Sequence, residues 1–239
     1  MRTILTSLAV LASVSAGAQA IDLQGHRGAR GLLPENTLPS FQKALELGVT
    51  TLELDIAVTK DGVLVIHHDP TLNPDITRDA SGRFLERRGP PLHSLTWAEL
   101  QTYDVGRLRP GSQYGASYPE QQAIDGTRIP RLSDLFELVA KSGRPDVRFA
   151  IETKLHPERP DETPAPEPFA RAVVEEIRKA GVAARSQILS FDWRTLQVVQ
   201  KIAPEIPTVY LSAQRPRFDT IQASNPDGSR WTAGFQHRD

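Results

Sequence analysis

Glu53 and Asp55 stand two residues apart in Thr51-Leu52-Glu53-Leu54-Asp55-Ile56, a stretch in which apolar and acidic residues alternate. Successive side chains of a strand point to opposite faces. Leu52, Leu54 and Ile56 therefore share one face, and the two carboxylates share the other. Val147 to Lys154 repeats the pattern, with Val147, Phe149 and Ile151 on one side and Glu152 and Lys154 on the other. Three carboxylates from two strands make an oxygen-rich site for a hard cation such as Ca²⁺ or Mg²⁺. Solvent-facing residues of an amphipathic strand would explain one such pattern, but its recurrence on a second strand favours a site. With no cysteine in the chain, any metal must be held by Asp, Glu or His.

Histidines return to the same place. Asp61-Gly62 signals a hairpin turn, with Val63 to Ile66 as the return strand. A two-residue turn sets Asp55 opposite His68, and a three-residue loop sets it opposite His67. Either register brings His67-His68-Asp69 beside the acidic pair, where a histidine can act as acid or base near neutral pH. His26-Arg27-Gly28 closes a short strand from Leu23, and polar residues at the C-terminal ends of barrel strands build active sites. His26, Arg27, Glu53, Asp55, His68, Glu152 and Lys154 thus form one constellation. Its carboxylates would neutralise a divalent cation, Arg and Lys would grip an anion, and the histidines would move protons. That combination suits phosphoryl transfer.

These residues need strands held by helices. The pattern predicts helices over Asn36–Leu47, Ser133–Ser142, Phe169–Ala180 and Trp193–Ile202. Strands are expected around Leu23, Thr51, Val63, Val147, Gln187 and Thr208. Residues from Pro70 to Pro130, rich in Gly, Pro and Arg, read as an inserted excursion, with a capping box at Thr96-Trp97-Ala98-Glu99 opening a short helix. His156 to Pro168 reads as a loop. Strands alternating with helices predict an α/β fold with a mostly parallel sheet.

Three runs resemble the glycerophosphodiester phosphodiesterase family: His26 to Phe41 (HRGARGLLPENTLPSF), Leu52 to Pro70 (LELDIAVTKDGVLVIHHDP) and Ile151 to Lys154 (IETK). The similarity covers most of Leu23 to Leu211 in order. It implies a phospholipase-C-like TIM-type (β/α) barrel with a small insertion after His68-Asp69-Pro70. By resemblance, Glu53, Asp55 and Glu152 match metal ligands of one divalent cation, Ca²⁺ favoured over Mg²⁺. His26 and His68 match the acid/base pair, Arg27 and Lys154 match phosphate-contacting positions, and Glu35 matches an acid lining the site. His67 stands where the family has an apolar or aromatic residue, so the resemblance gives the role to His68. The implied reaction is cleavage of small-molecule glycerophosphodiesters to an alcohol and sn-glycerol 3-phosphate. The glycerol hydroxyl would attack phosphorus, and water would then open the cyclic phosphate. Related enzymes acting on lysophospholipid or sphingomyelin, and a non-catalytic exported binding or surface protein keeping the fold, are the alternatives. Such barrels carry two more strand-helix units than are visible here, with only a polar stretch expected after Leu211. The barrel is thus expected to be incomplete at its C-terminus, with open edges near Leu23 and Thr208.

Arg2, the uncharged stretch from Ile4 to Ala20 and the terminal Ala18-Gln19-Ala20 predict a cleaved signal peptide over residues 1–20. The remaining 21–239 form one domain, periplasmic or secreted, with no stable membrane insertion after cleavage. The charge balance of 28 basic against 29 acidic residues provides no global field for nucleic acid.

Overall fold

In the computed structural model, which describes residues 21–236, five strands run parallel in one sheet: β1 (Gln24–His26), β2 (Thr51–Val58), β4 (Arg148–Thr153), β5 (Ser186–Ser190) and β6 (Thr208–Tyr210). Their order is β1-β2-β4-β5-β6. The signal peptide expected over residues 1–20 lies outside the described residues. β3 (Leu64–Ile66) pairs antiparallel with the far end of β2, so it is a hairpin arm rather than a parallel stave.

Helices α1 (Leu38–Glu46), α4 (Leu132–Lys141), α5 (Pro166–Lys179) and α6 (Trp193–Ile202) follow the strands. Phe41, Leu135, Val173 and Leu196 from these helices bury with Leu52, Leu54, Phe149, Ile151 and Ile188 in one core. Leu52 and Leu54 alternate with Glu53 and Asp55, so the helices cover one sheet face and leave the other to the acids. This is the wall of a (β/α) barrel, and it is open. Among the described residues, β1 pairs only with β2, and β6 only with β5. No helix among them is long and apolar enough to cross a membrane.

Three local expectations need correction. α1 starts at Leu38 rather than Asn36, because Thr37 is the N-cap, accepting from the Ser40 N–H, while Asn36 adopts φ 56°. α5 begins at Pro166 inside the expected loop, since proline at the first helical position loses no hydrogen bond. After Leu211 the chain is not merely polar. It forms a hairpin, β7 (Gln214–Arg215) with β8 (Phe218–Asp219), and buries Trp231.

The excursion between β3 and α4 contains two one-turn helices, α2 (Trp97–Leu100) and α3 (Gln113–Ala116). The capping box of α2 is present. Leu72, Leu92, Leu100, Val105 and Ile129 form a second, smaller apolar cluster on Ala57 and Val65 of the hairpin.

Candidate active site

The β2–β4 register sets Asp55 beside Glu152, and the β1–β2 register sets His26 beside Glu53. Oxygen atoms of Glu53, Asp55 and Glu152 lie within 4.8 Å of one another, and all three residues are buried. Asp55 is fully enclosed. Asn36 Nδ2 donates to its Oδ2 at 2.9 Å, Arg27 Nε approaches the same oxygen at 3.1 Å, and Oδ1 makes no hydrogen bond. Burial alone would raise its pKa, but the charges of Lys154 and Arg27 hold it well below the usual carboxylate range. The others move the opposite way: burial and the neighbouring Asp55 charge push Glu53 up to about 8, and burial raises Glu152 against the pull of Lys154.

A surplus of buried negative charge, with one Asp55 oxygen making no hydrogen bond, fits a hard divalent cation held by Glu53, Asp55 and Glu152. The same surplus predicts proton-coupled cation binding. A proton held by Glu53 below about pH 8 must leave as the cation enters. Apparent affinity for a divalent cation should therefore rise between about pH 6 and about pH 8, by up to tenfold per pH unit, measured by calorimetric titration in buffers of different ionisation heat. Without cation the sign reverses for stability. The Glu53 carboxyl binds its proton more tightly folded than at its ordinary value of 4.5, so its contribution is present below that value and is lost as pH rises toward about 8.

Both expected anion-binding cations are engaged with these acids. Arg27 Nη1 donates to Glu35 at 2.9 Å, and Lys154 Nζ lies 2.6 Å from Glu152 and 3.5 Å from Asp55. Arg27 holds a left-handed φ of 56°, and its backbone N–H donates to Glu53 at 2.9 Å. One residue thereby meets three carboxylates. Gly28 follows at φ 80°, where a Cβ would stand 2.6 Å from Ser40 Oγ and 2.8 Å from the Ser40 carbonyl carbon. Gly28→Ala should cost about 2–3 kcal/mol in urea unfolding through backbone strain and this clash.

The hairpin uses three loop residues, Lys60-Asp61-Gly62, with Gly62 at φ 79°. His67 is therefore the residue opposite Asp55, its N–H donating to the Asp55 carbonyl at 2.9 Å. The His67 ring is nonetheless buried, with Nδ1 2.8 Å from the Asp69 carbonyl. His68 faces the cleft, its Nδ1 2.9 Å from Asp69 Oδ1. Burial would raise Asp69, but the hydrogen bonds from His68 and Asn73 keep it ionised. The Asp69 carboxylate accepts, so Nδ1 of His68 carries the proton and Nε2 keeps its lone pair. His26 is the converse. Arg30 Nη2 lies 2.8 Å from its Nδ1 and can only donate, so Nε2 carries the proton, facing Glu53 Oε2 at 3.7 Å. Burial, then Arg30 and Arg27, push the His26 pKa down to about 4, leaving the ring neutral at pH 7.

His26, Arg27, Glu53, His68, Glu152 and Lys154 line a single cleft of about 710 Å³. Asp55 and Glu35 lie behind them, bonded to Arg27. Sequence reasoning missed Arg30, Tyr114 and the hairpin wall. Tyr114 is delivered by α3 of the excursion and donates its hydroxyl to Glu35, a contact with no signature in local sequence. The Asp69 partner was readable, since it follows His68 directly.

The family profile described as "Glycerophosphoryl diester phosphodiesterase family" matches residues 26–225. The chain belongs to this family. It is 30% identical over 192 residues to the glycerophosphodiester phosphodiesterase of Bacillus subtilis, covering 78% of this chain and 57% of that one. A Silicibacter pomeroyi protein of known crystal structure superposes with a TM-score of 0.77 at 36% identity, over 82% of this chain and 66% of that one. An Oleispira antarctica phosphodiesterase, solved in complex with its product sn-glycerol-3-phosphate, matches at 26% identity and a TM-score of 0.59, over 82% of this chain and 68% of that one. The chain thus spans between 57% and 68% of the length of these relatives. The family assignment and the open parallel sheet together give a TIM-type barrel fold.

Proposed function

We propose that this chain hydrolyses small glycerophosphodiesters to an alcohol and sn-glycerol 3-phosphate, in phospholipid and glycerol catabolism, with one divalent cation. The observation that carries the reading is the cleft in which Glu53 and Glu152, with Asp55 behind them, meet His26 and His68 of opposite tautomer. The bound cation supplies Lewis-acid stabilisation of charge on the phosphoryl oxygens. His68 Nε2, with its free lone pair, takes the proton from the attacking glycerol hydroxyl. His26, which takes up a solvent proton at Nδ1 when the anionic phosphate binds beside it, gives its Nε2 proton to the departing alcohol and is left neutral, and the two exchange roles as water opens the cyclic phosphate. Arg27 and Lys154 set the charge of the acids and face the phosphate from the cleft wall.

Ca²⁺ is the favoured ion over Mg²⁺. Three crowded carboxylates suit a cation that accepts many oxygens in flexible geometry, whereas Mg²⁺ demands a near-ideal octahedron and retains water. Residues 1–20 are read as a signal peptide, which assigns the protein to the periplasm or the exterior. The test is release of sn-glycerol 3-phosphate from glycerophosphocholine, with chelator and with Ca²⁺ or Mg²⁺ restored. Release that stops with chelator and returns best with Ca²⁺ supports the reading. No release under any condition favours a non-catalytic binding protein.

A further inference from the structure

The cleft continues well past the acids and histidines, and its far wall has a different chemistry. That wall is the β7–β8 hairpin, whose two-residue turn is Pro216-Arg217. The hairpin is held rigidly. Thr220 exchanges backbone and hydroxyl hydrogen bonds with Ala213, and Ser229 Oγ donates to the Thr220 carbonyl at 2.6 Å. The Phe218 ring stands edge-on between Phe191 at 5.2 Å and the buried Trp231 at 5.6 Å. Arg215 and Arg217 line the cleft from this fixed wall. Neither forms an ion pair within 4.0 Å nor a side-chain hydrogen bond among the described residues. Arg159, on the loop after β4, is already matched by Glu162 at 3.1 Å. Positive charge is balanced at the reacting end, where Arg27 and Lys154 meet the acids, and left over at the far end.

We propose that this far end is the subsite for the leaving alcohol, and that it selects alcohols carrying their own phosphate, as in a polyol or glycerol phosphate. The inference rests on the hydrolytic reading above for the orientation of the substrate. Guanidinium groups bind phosphate with directed, charge-assisted hydrogen bonds, and the aromatic edges of Phe218 and Trp231 give the carbon skeleton of a polyol an apolar support. A quaternary ammonium head group would meet two uncompensated positive charges there, which disfavours it despite the aromatic rings.

The experiment compares bis(glycerophospho)glycerol with glycerophosphocholine, which share the reacting end and differ in the alcohol. The expected kcat/KM ratio favours the anionic substrate by at least about tenfold at low salt and declines as salt screens the exposed arginines. The double variant Arg215→Ala/Arg217→Ala, which removes exposed side chains without hydrogen-bond partners, should keep its Tm and lose most of that ratio. Equal or inverted preference in the unaltered chain overturns the proposal, as does a double variant with the full preference. Calorimetric binding of both compounds in chelator reads the subsite without turnover. A binding preference for the anionic compound without hydrolysis of either would overturn the hydrolytic reading and leave the anionic subsite standing.

Discussion

Asp55→Asn should lower kcat/KM for glycerophosphodiester cleavage by at least about 10³-fold, equivalent to roughly 4 kcal/mol of lost transition-state stabilisation. Asp55 has no exposed surface, its Oδ1 makes no hydrogen bond, and a carboxylate oxygen of it lies within 4.8 Å of oxygens of Glu152 and Glu53. Of the three acids it is the one held ionised by Lys154 and Arg27, so it brings a full negative charge to the cation before any proton is displaced. Asparagine keeps the shape and one hydrogen-bonding oxygen but not the charge. Alanine would leave Arg27 and Lys154 facing a hole, and stripping one partner from a buried ionic cluster costs about 3–5 kcal/mol in folding. The informative measurement is therefore the rise in Tm on adding Ca²⁺. It should be present in the unaltered chain and absent in Asp55→Asn, alongside the loss of turnover. An Asp55→Asn enzyme that retains both would remove the acid triad from the chemistry.

His68→Ala should lower kcat by about 10²- to 10⁴-fold, the range for loss of a positioned acid or base, with Ca²⁺ binding retained. His67→Ala should behave differently, although the two are neighbours and His67 is the one in register with Asp55. Its ring is 3% exposed and tied to the Asp69 carbonyl, so its loss should appear chiefly as a lower Tm. Steady-state kinetics and thermal melts on both variants separate the roles. Full turnover in His68→Ala, with kcat collapsed in His67→Ala, would transfer the role to His67.

Strand parity was legible because it depends only on the two-residue repeat. Alternation in Thr51 to Ile56 and Val147 to Lys154 was enough to bring Glu53, Asp55, Glu152 and Lys154 to one face. Burial does not show that alternation, since every residue of β2 is buried. The two faces of β2 differ in what covers them, helices on one and charged partners on the other. The hairpin register was undecided in sequence, because Asp61-Gly62 serves both a two-residue turn and the last two positions of the three-residue loop that formed. The left-handed Arg27 was not legible, since its conformation is enforced by bonds to Glu35, Glu53 and Asp55 at distant positions. The Tyr114 contact depends on how the excursion folds back, which no local pattern records. The Arg215 and Arg217 wall was hidden for a related reason. A polar stretch after Leu211 carries no periodicity, and the hairpin there depends on contacts with distant Trp231 and Phe191 and on the Thr220 bonds to Ala213.

The second apolar cluster bears on the order in which the molecule assembles. β2 must find β4 as its parallel neighbour, yet residues 67–147 intervene between β3 and β4. The entropy of closing a loop grows with its length, and distant pairings are correspondingly slow. Leu72, Leu92, Leu100, Val105 and Ile129 gather that intervening chain onto Ala57 and Val65, residues of the β2–β3 hairpin, which needs only local contacts to form. So gathered, the excursion returns to the hairpin it started from, where Arg131 bridges back to Val65 at the point where α4 begins. The residues that contribute nothing to the acids or the histidines thus shorten the search that brings Glu152 to Asp55.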